Sequence, residues 1–292
     1  MITDLSKESS VFYHIINNYI QNCRGFKMDK ITKNLINYKN NILKISEEGE
    51  FKGNKYQHIL PIEDRKNNII SVYRDDFWKY IENNQINLHK YFHHLNSSQA
   101  LCFNLFYPFI SSNSGDILLK SLNIFEESVK IKSAEFEKVL HKNENTNFDF
   151  LISLTSRDII FFEIKYTENS FGKARNDSKH IEKKDLIYDK VFNYKEKIQK
   201  QYHQDESFFE NYQLIRNIVY LNFNRNDNLF LIFPKEKTEF KNQIESIPVP
   251  ELKNKIHIIY LEDLTEEIIN NSSNNSKLLE HFIEFKNKYL PE

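Results

Sequence analysis

Three charged residues interrupt an otherwise apolar run between Thr146 and Glu168, TNFDFLISLTSRDIIFFEIKYTE: Asp149, Glu163 and Lys165. A three-residue turn at Thr155, Ser156 and Arg157 is a common hairpin loop, and it fixes the pairing of the flanking strands by symmetry about Ser156. Leu154 then faces Asp158, and Asp149 faces Glu163. Opposed residues have Cβ atoms roughly 4.5–5.5 Å apart, so the two carboxylates repel unless a cation sits between them. Lys165, two residues beyond Glu163, projects from the same face. Leu151, Ile159 and Phe161 share that face, while Phe148, Phe150, Ile152, Ile160, Phe162 and Ile164 take the other. Apolar residues on both faces describe strands covered on both sides. Charges at the end of such a surface need a ligand, a metal or one another.

Two kinds of chemistry fit the trio. One is a cross-strand salt bridge of Lys165 with both acids. The other is a divalent-cation site for phosphodiester hydrolysis, since Mg²⁺ usually binds one or two carboxylates, waters and phosphate oxygens. A metal there would polarise the scissile phosphate and lower the pKa of a bound water. Lys165 would orient or deprotonate that water, or neutralise charge developing on phosphorus, and a metal beside it together with desolvation would lower its pKa. The apolar companions of the trio favour the second reading.

The elements that must hold this hairpin can be read along the chain. Helical spacing of apolar residues predicts helices over Ser9–Cys23, Ile31–Ile45, Asp75–Glu82, His94–Ile110 and Ser276–Leu290. Asn96 or Ser97 can cap the fourth of these. FKGNKYQHILP (Phe51 to Pro61) reads as a turn at Gly53 followed by a short strand. Ser128–Leu140 reads as a strand, and NLFLIFP (Asn228 to Pro234) and KIHIIYL (Lys255 to Leu261) as short buried strands. Gly172–Gln201 is strongly charged and helical, and Ser207–Asn224 is long enough for a helix. Long connections precede the late strands, as parallel neighbours require. The pattern predicts an α/β (α+β) layered fold with a mixed central sheet. Residues 1–90 read as a helical extension packed on a core spanning 91–292.

Composition sets the outer bounds. The 292 residues carry 40% hydrophobic and 28% charged residues and a formal net charge of -1, so global basicity does not advertise nucleic-acid binding. Cys23 and Cys102 have no metal-type or redox-type spacing. The N-terminal MITDLSKESS lacks an apolar signal core, and no run long enough to span a membrane occurs, so a reduced cytoplasmic location is expected. No Walker-type phosphate loop supports ATP use.

Asp149 followed by Glu163-Ile164-Lys165 resembles the PD-(D/E)XK nuclease superfamily, the restriction-endonuclease-like fold. HLNSSQALCFNLFYPF, TNFDFLI, FFEIKYTENSFG and FKGNKYQHILP together are similar to a group of bacterial restriction-endonuclease-like proteins with an HLLSSQ-type helix and an E-(W/I)-KYTE strand. The similarity covers about Phe51 to Gly172 and continues loosely through YQLIRN (Tyr212 to Asn217). The resemblance implies an αβββαβ core, with Asp149, Glu163 and the Ile164 carbonyl as metal ligands and Lys165 as the catalytic lysine. It places Gln99 where the first core helix often supplies another acid, there to hold a metal-bound water. Phe148 stands where the motif has Pro. The implied activity is a Mg²⁺-dependent DNA endonuclease of type II restriction-like action, with Mn²⁺ able to substitute and products bearing 5′-phosphate and 3′-hydroxyl ends. Its implied partners are DNA, a second copy of the chain in a homodimer, and a cognate methyltransferase. A repair, recombination or mobile-element nuclease, and a non-catalytic nucleic-acid-binding protein of the same fold, are the alternatives.

Lesser features have two readings each. Lys173, Arg175, Lys179, His180, Lys183 and Lys184 suit DNA-backbone contacts, but Glu182 and Asp185 interrupt them as in an ordinary charged helix face. Phe171-Gly172 is a close backbone approach to phosphate or a plain loop. Glu168 supports the site or is a solvated surface acid. His89 and His93 have the i, i+4 spacing of a zinc pair, without the HExxH pattern or cysteine partner that would make it one. The aromatic stretch Phe208 to Tyr220 is expected to be core rather than a base-stacking platform.

Overall fold

The computed structural model describes residues 28–291, so the expected helix Ser9–Cys23 lies outside the described residues. Helix α1 (Lys30–Asn41) leads to a two-stranded ribbon, β1 (Gly49–Phe51) and β2 (Asn54–Tyr56). Helices α2 (Arg74–Asn84), α3 (Ser98–Ser111) and α4 (Gly115–Ser121) follow, then strands β3 (Ile131–Val139), β4 (Asn147–Leu154) and β5 (Ile159–Ile164). Short helices α5 (Ser178–Lys183), α6 (Tyr194–Lys197), α7 (Asp205–Glu210) and α8 (Tyr212–Val219) lead to β6 (Asn228–Phe233), α9 (Glu239–Ser246), β7 (Ile256–Tyr260), α10 (Leu261–Asn271) and α11 (Ser276–Tyr289).

Strands β3 to β7 form one five-stranded sheet in sequence order, antiparallel through β5 and parallel from β5 to β7. This is the mixed-sheet α+β fold expected from the sequence. Two layers cover it. Phe150, Ile152, Ile160, Phe162, Ile164, Phe230 and Ile232 face a core shared with α1, α2, α3 and α11. Leu151, Phe161, Leu229, Leu231 and Phe233 face a core built on α7, α8 and α9. Alternation of side chains along each strand is what divides them. Residues of the segment before His94, among them Ile31, Leu35, Leu60, Tyr73 and Phe77, are buried in the first core.

Helix α3 is buried over nearly its whole length and mostly apolar, Gln99 and Asn104 excepted, which suits its place beneath the sheet. Ser97 caps it, its hydroxyl accepting the Ala100 N–H at 3.3 Å. The expected long helical stretch over Gly172–Gln201 is instead broken. Asp177 caps α5 by accepting from His180 N, a π-turn spans Lys184–Asp189, and Asn193 takes a left-handed φ of 49°. Helices α4, α9 and α10 are not among the sequence expectations. Helix α10 follows β7 with no linker and buries Leu261, Leu264, Thr265 and Ile268.

Candidate active site

The β4–β5 register is the one that a turn centred on Ser156 dictates. Ser153 pairs with Ile159, Ile152 with Ile160, Leu151 with Phe161 and Phe150 with Phe162. Leu154 N donates to Asp158 O at 2.9 Å, and Arg157 closes the loop with a left-handed φ of 77°, the conformation expected of the last residue in a three-residue hairpin loop. Hydrogen-bonded pairs alternate along such a ladder, so the next bond beyond Phe150 would run from Ile164 N to Phe148 O. It does not form. Ile164 N donates to Asp149 Oδ2 at 2.7 Å. The carboxylate replaces a carbonyl, and the two strands part there.

That parting corrects one expectation. Phe148 does not stay with Phe150 but joins the α8 layer, its ring 4.6 Å from Phe161 and 5.2 Å from Tyr220. Release from the ladder frees it from strict alternation. The same opening leaves Asp149 half-buried beside Glu163. The Ile164 carbonyl, which projects to the same strand edge as its N–H, also points into the gap.

Glu163 is 1% exposed and Lys165 8%. Lys165 Nζ lies 2.9 Å from Glu163 Oε1 and donates to Gln213 Oε1, also at 2.9 Å. Gln213 Nε2 returns a bond to Glu163 Oε1. Asn217 Nδ2 donates to Glu163 Oε2 at 2.9 Å, and Arg216 approaches the same oxygen at 3.4 Å. Helix α8 thus presents Gln213, Arg216 and Asn217 to one carboxylate. The sequence reading missed all three as site residues. Their signal was present: polar residues at i, i+3 and i+4 on a helix whose other positions, Leu214, Ile215, Ile218 and Val219, are buried and apolar. Gly172 makes room for them. Its φ is +104°, and a Cβ there would meet Gln213 Oε1 at 2.6 Å. In its loop Gly172 seats the Gln213 side chain.

The electrostatics are unequal. Burial and the neighbouring Glu163 push the Asp149 carboxyl well above the usual aspartate value, against the pull of Lys165 and the Ile164 N–H. Burial also acts against Glu163, but Lys165 and then Arg216 outweigh it and hold its pKa below the ordinary glutamate value. For Lys165, burial favours the neutral amine, yet Glu163 and Asp149 more than offset it, so its pKa is raised. Two carboxylates converging on one ammonium thus outweigh its desolvation.

These residues fit a hard divalent cation. A carboxyl whose pKa is raised by a second carboxylate is the group a cation relieves, and two carboxylates with a backbone carbonyl are an oxygen donor set of Mg²⁺ type. Among the described residues, no three His, Cys, Asp or Glu side chains are grouped to hold a metal ion, so an all-side-chain cage is absent there.

The remaining candidates sort by position. Gln99 is buried and its amide is engaged, accepting from His89 N at 2.8 Å and donating to Asn87 O at 3.1 Å and Glu137 Oε1 at 2.7 Å. It reaches the trio only through Glu137, whose charge bears on Asp149. Glu137, with φ of 51° inside β3, is a fourth residue the sequence reading missed. Glu168 Oε2 accepts the Tyr166 N–H at 2.6 Å, and its charge helps raise Lys165. Of the basic run, Lys183 and Lys184 are committed internally, to Glu144 at 3.2 Å and Asp205 at 2.6 Å. Lys173, Arg175 and Lys179 are exposed, Lys173 pairing with Glu210 at 3.3 Å. His89 and His93 do not converge: His89 lies 3.7 Å from Glu137 and His93 Nε2 lies 3.4 Å from Glu50 O.

Among the described residues, no helix is long and apolar enough to cross a membrane. The model of a protein family described as Restriction Endonuclease associating with ARP matches residues 32–290. No curated protein and no solved structure gives a match.

Proposed function

The chain belongs to the family described as Restriction Endonuclease associating with ARP, and from that premise we propose that it is a Mg²⁺-dependent DNA endonuclease with a PD-(D/E)XK-type site. The observation that carries the reading is the convergence of Asp149, Glu163 and Lys165 where β4 and β5 part, with Lys165 Nζ 2.9 Å from Glu163. Asp149, Glu163 and the Ile164 carbonyl would hold the cation. When bound, Mg²⁺ supplies Lewis-acid polarisation of the scissile phosphate and a water of lowered pKa.

The protein's own groups have separable tasks. Lys165, whose pKa Glu163 and Asp149 raise, would serve as a cation toward charge developing on the phosphate oxygens. Arg216, Asn217 and Gln213 fix both oxygens of Glu163, which keeps the carboxylate aimed into the gap. Gln99 holds Glu137, and Glu137 adds negative potential beside Asp149. Restriction-like cutting of both strands calls for two such sites, which a two-fold dimer supplies. A cognate methyltransferase would protect the host's own sites.

The test is cleavage of supercoiled plasmid with Mg²⁺ or Mn²⁺, with and without a chelator, by wild type and by Asp149→Asn and Glu163→Gln. These substitutions remove charge with little change of shape. Discrete linear fragments from wild type, none with chelator and none from either variant, are expected. Cleavage by the variants at the wild-type rate would refute the site.

A further inference from the structure

The β1–β2 ribbon serves no part of the site described above, yet its construction is unusual. Its root is fixed. Gly49 N donates to Ile59 O at 2.9 Å, and a Cβ on Gly49 would meet Leu60 O at 2.2 Å, so only glycine packs there. The buried Lys39 ammonium ties the carbonyls of Glu47 and Ile59 together. Its tip is free. A Cβ on Gly53 would meet nothing within 4 Å, and residues 52–57 are all exposed. The turn places Lys52 and Gly53 at φ of 52° and 80°, the positive values of a two-residue hairpin loop. That geometry favours Asn, Asp or Gly, and a lysine held there places an ammonium at the apex against local preference.

The ribbon leans toward the catalytic strand. Phe51 stacks edge-on to Tyr91 and His94 at 4.9 and 5.2 Å. Tyr91 and His94 line a cleft of about 280 Å³ whose other wall is Asn96, Ser97, Thr167 and Glu168. Thr167 and Glu168 follow Lys165 by two and three residues, a reach of at most about 10 Å. Lys52, Lys55 and Lys90 stand on the ribbon and the cleft rim, and Tyr56 and Tyr91 expose their rings beside them. Glu47 and Glu48 lie at the root and Glu50 stands directly opposite Lys55, so the unopposed positive charge of the ribbon is Lys52 at its tip, 5.0 Å over the Phe51 ring.

We propose that this rigid ribbon is a DNA-docking element that enters the major groove beside the scissile bond, with Lys52 and Lys55 on backbone phosphates and Asn54 and Tyr56 against base edges. The major groove admits a two-stranded ribbon, and the positive tip matches the phosphate backbone. The inference rests on DNA being the substrate of the site.

The test is equilibrium binding to a fluorescein-labelled duplex about three helical turns long, in chelator and over a series of salt concentrations, so that no cleavage enters the measurement. Lys52→Ala/Lys55→Ala should weaken binding about tenfold and reduce the magnitude of the salt slope by roughly two. Lys241→Ala/Lys253→Ala, an equal charge loss at exposed residues near β7, should leave the slope unchanged. Lys55→Glu alone should weaken binding further than Lys55→Ala. Equal weakening by the two double variants, or none from either, would overturn the ribbon. Plasmid cleavage separates the two proposals. A cutting wild type with an indifferent ribbon ends this inference alone, and ribbon-dependent binding by a protein that never cuts ends the nuclease reading alone.

Discussion

Two buried lysines on opposite sides of the sheet have opposite properties. Lys165 sits at the end of β5 and Lys288 near the end of α11, 8% and 0% exposed. Lys288 bonds neutral groups, the backbone and side-chain oxygens of Asn68, the latter at 2.8 Å. Burial drives its pKa well below the usual lysine value, with only a distant pull back from Glu284. Lys165 suffers the same burial, but Glu163 and Asp149 reverse the outcome. Around Lys288, Asn68, Asn104, Tyr289 and His281 form a network that ties α11 to α3 and to the 62–68 turn, with His281 Nδ1 buried and unpartnered. Around Lys165, the network spends its donors on one carboxylate and leaves another half-open to solvent. Burial alone makes a lysine structural. Convergent carboxylates at a break in the sheet make it chemical.

Substitutions can break that contrast. The largest effects belong to the acids: Asp149→Asn and Glu163→Gln should cut DNA cleavage by roughly a thousandfold or more, measured as single-turnover rates, with circular dichroism unchanged. Next, Lys165→Met should lower the cleavage rate by about a hundredfold or more with little change in melting temperature. Lys288→Met should do the reverse, costing about 1–3 kcal/mol as Asn68 loses its donor while cleavage per folded molecule holds. Equal loss of rate from both lysines would erase the distinction. Smaller still, Asn217→Ala and Gln213→Ala should each lower activity by about 10- to 100-fold, through a weaker apparent affinity for Mg²⁺. A magnesium titration that is unchanged in either variant would remove α8 from the site.

A separate effect on stability alone is expected in acid. His281 donates to Asn104 O at 2.7 Å, and burial pushes its pKa down from 6.5 to about 3. Between these values the unfolded chain binds a proton that the native state does not. Stability therefore falls as pH falls, by up to about 1.4 kcal/mol per pH unit from this group, and the contribution is flat above pH 6.5. His281→Gln, which keeps a donor for Asn104, should flatten that acid limb in urea melts at several pH values.

The hairpin was legible because a side-chain period of two and a three-residue turn leave one register, and that register sets Asp149 against Glu163. The apolar face of α3 was legible for a similar reason, since its pattern is local. The parting of β4 from β5 was not, because it depends on a side chain outbidding a carbonyl for the Ile164 N–H. Gln213, Arg216 and Asn217 lie about 50 residues from Glu163, and no local pattern links them to it. Gln99 illustrates the converse: its position on α3 was foreseen, but its partners Asn87, His89 and Glu137 come from a loop and a strand that only folding brings near.

By itself, then, the sequence determined which residues share a strand face, Phe148 excepted, and which of the helices it foresaw must be buried, since periodicity and turn length are local constraints. Only the tertiary structure decided which charges meet, how Glu163 is held, and that the Lys165 pKa is raised. Those depend on distances between segments far apart in the chain and on how much water each group loses.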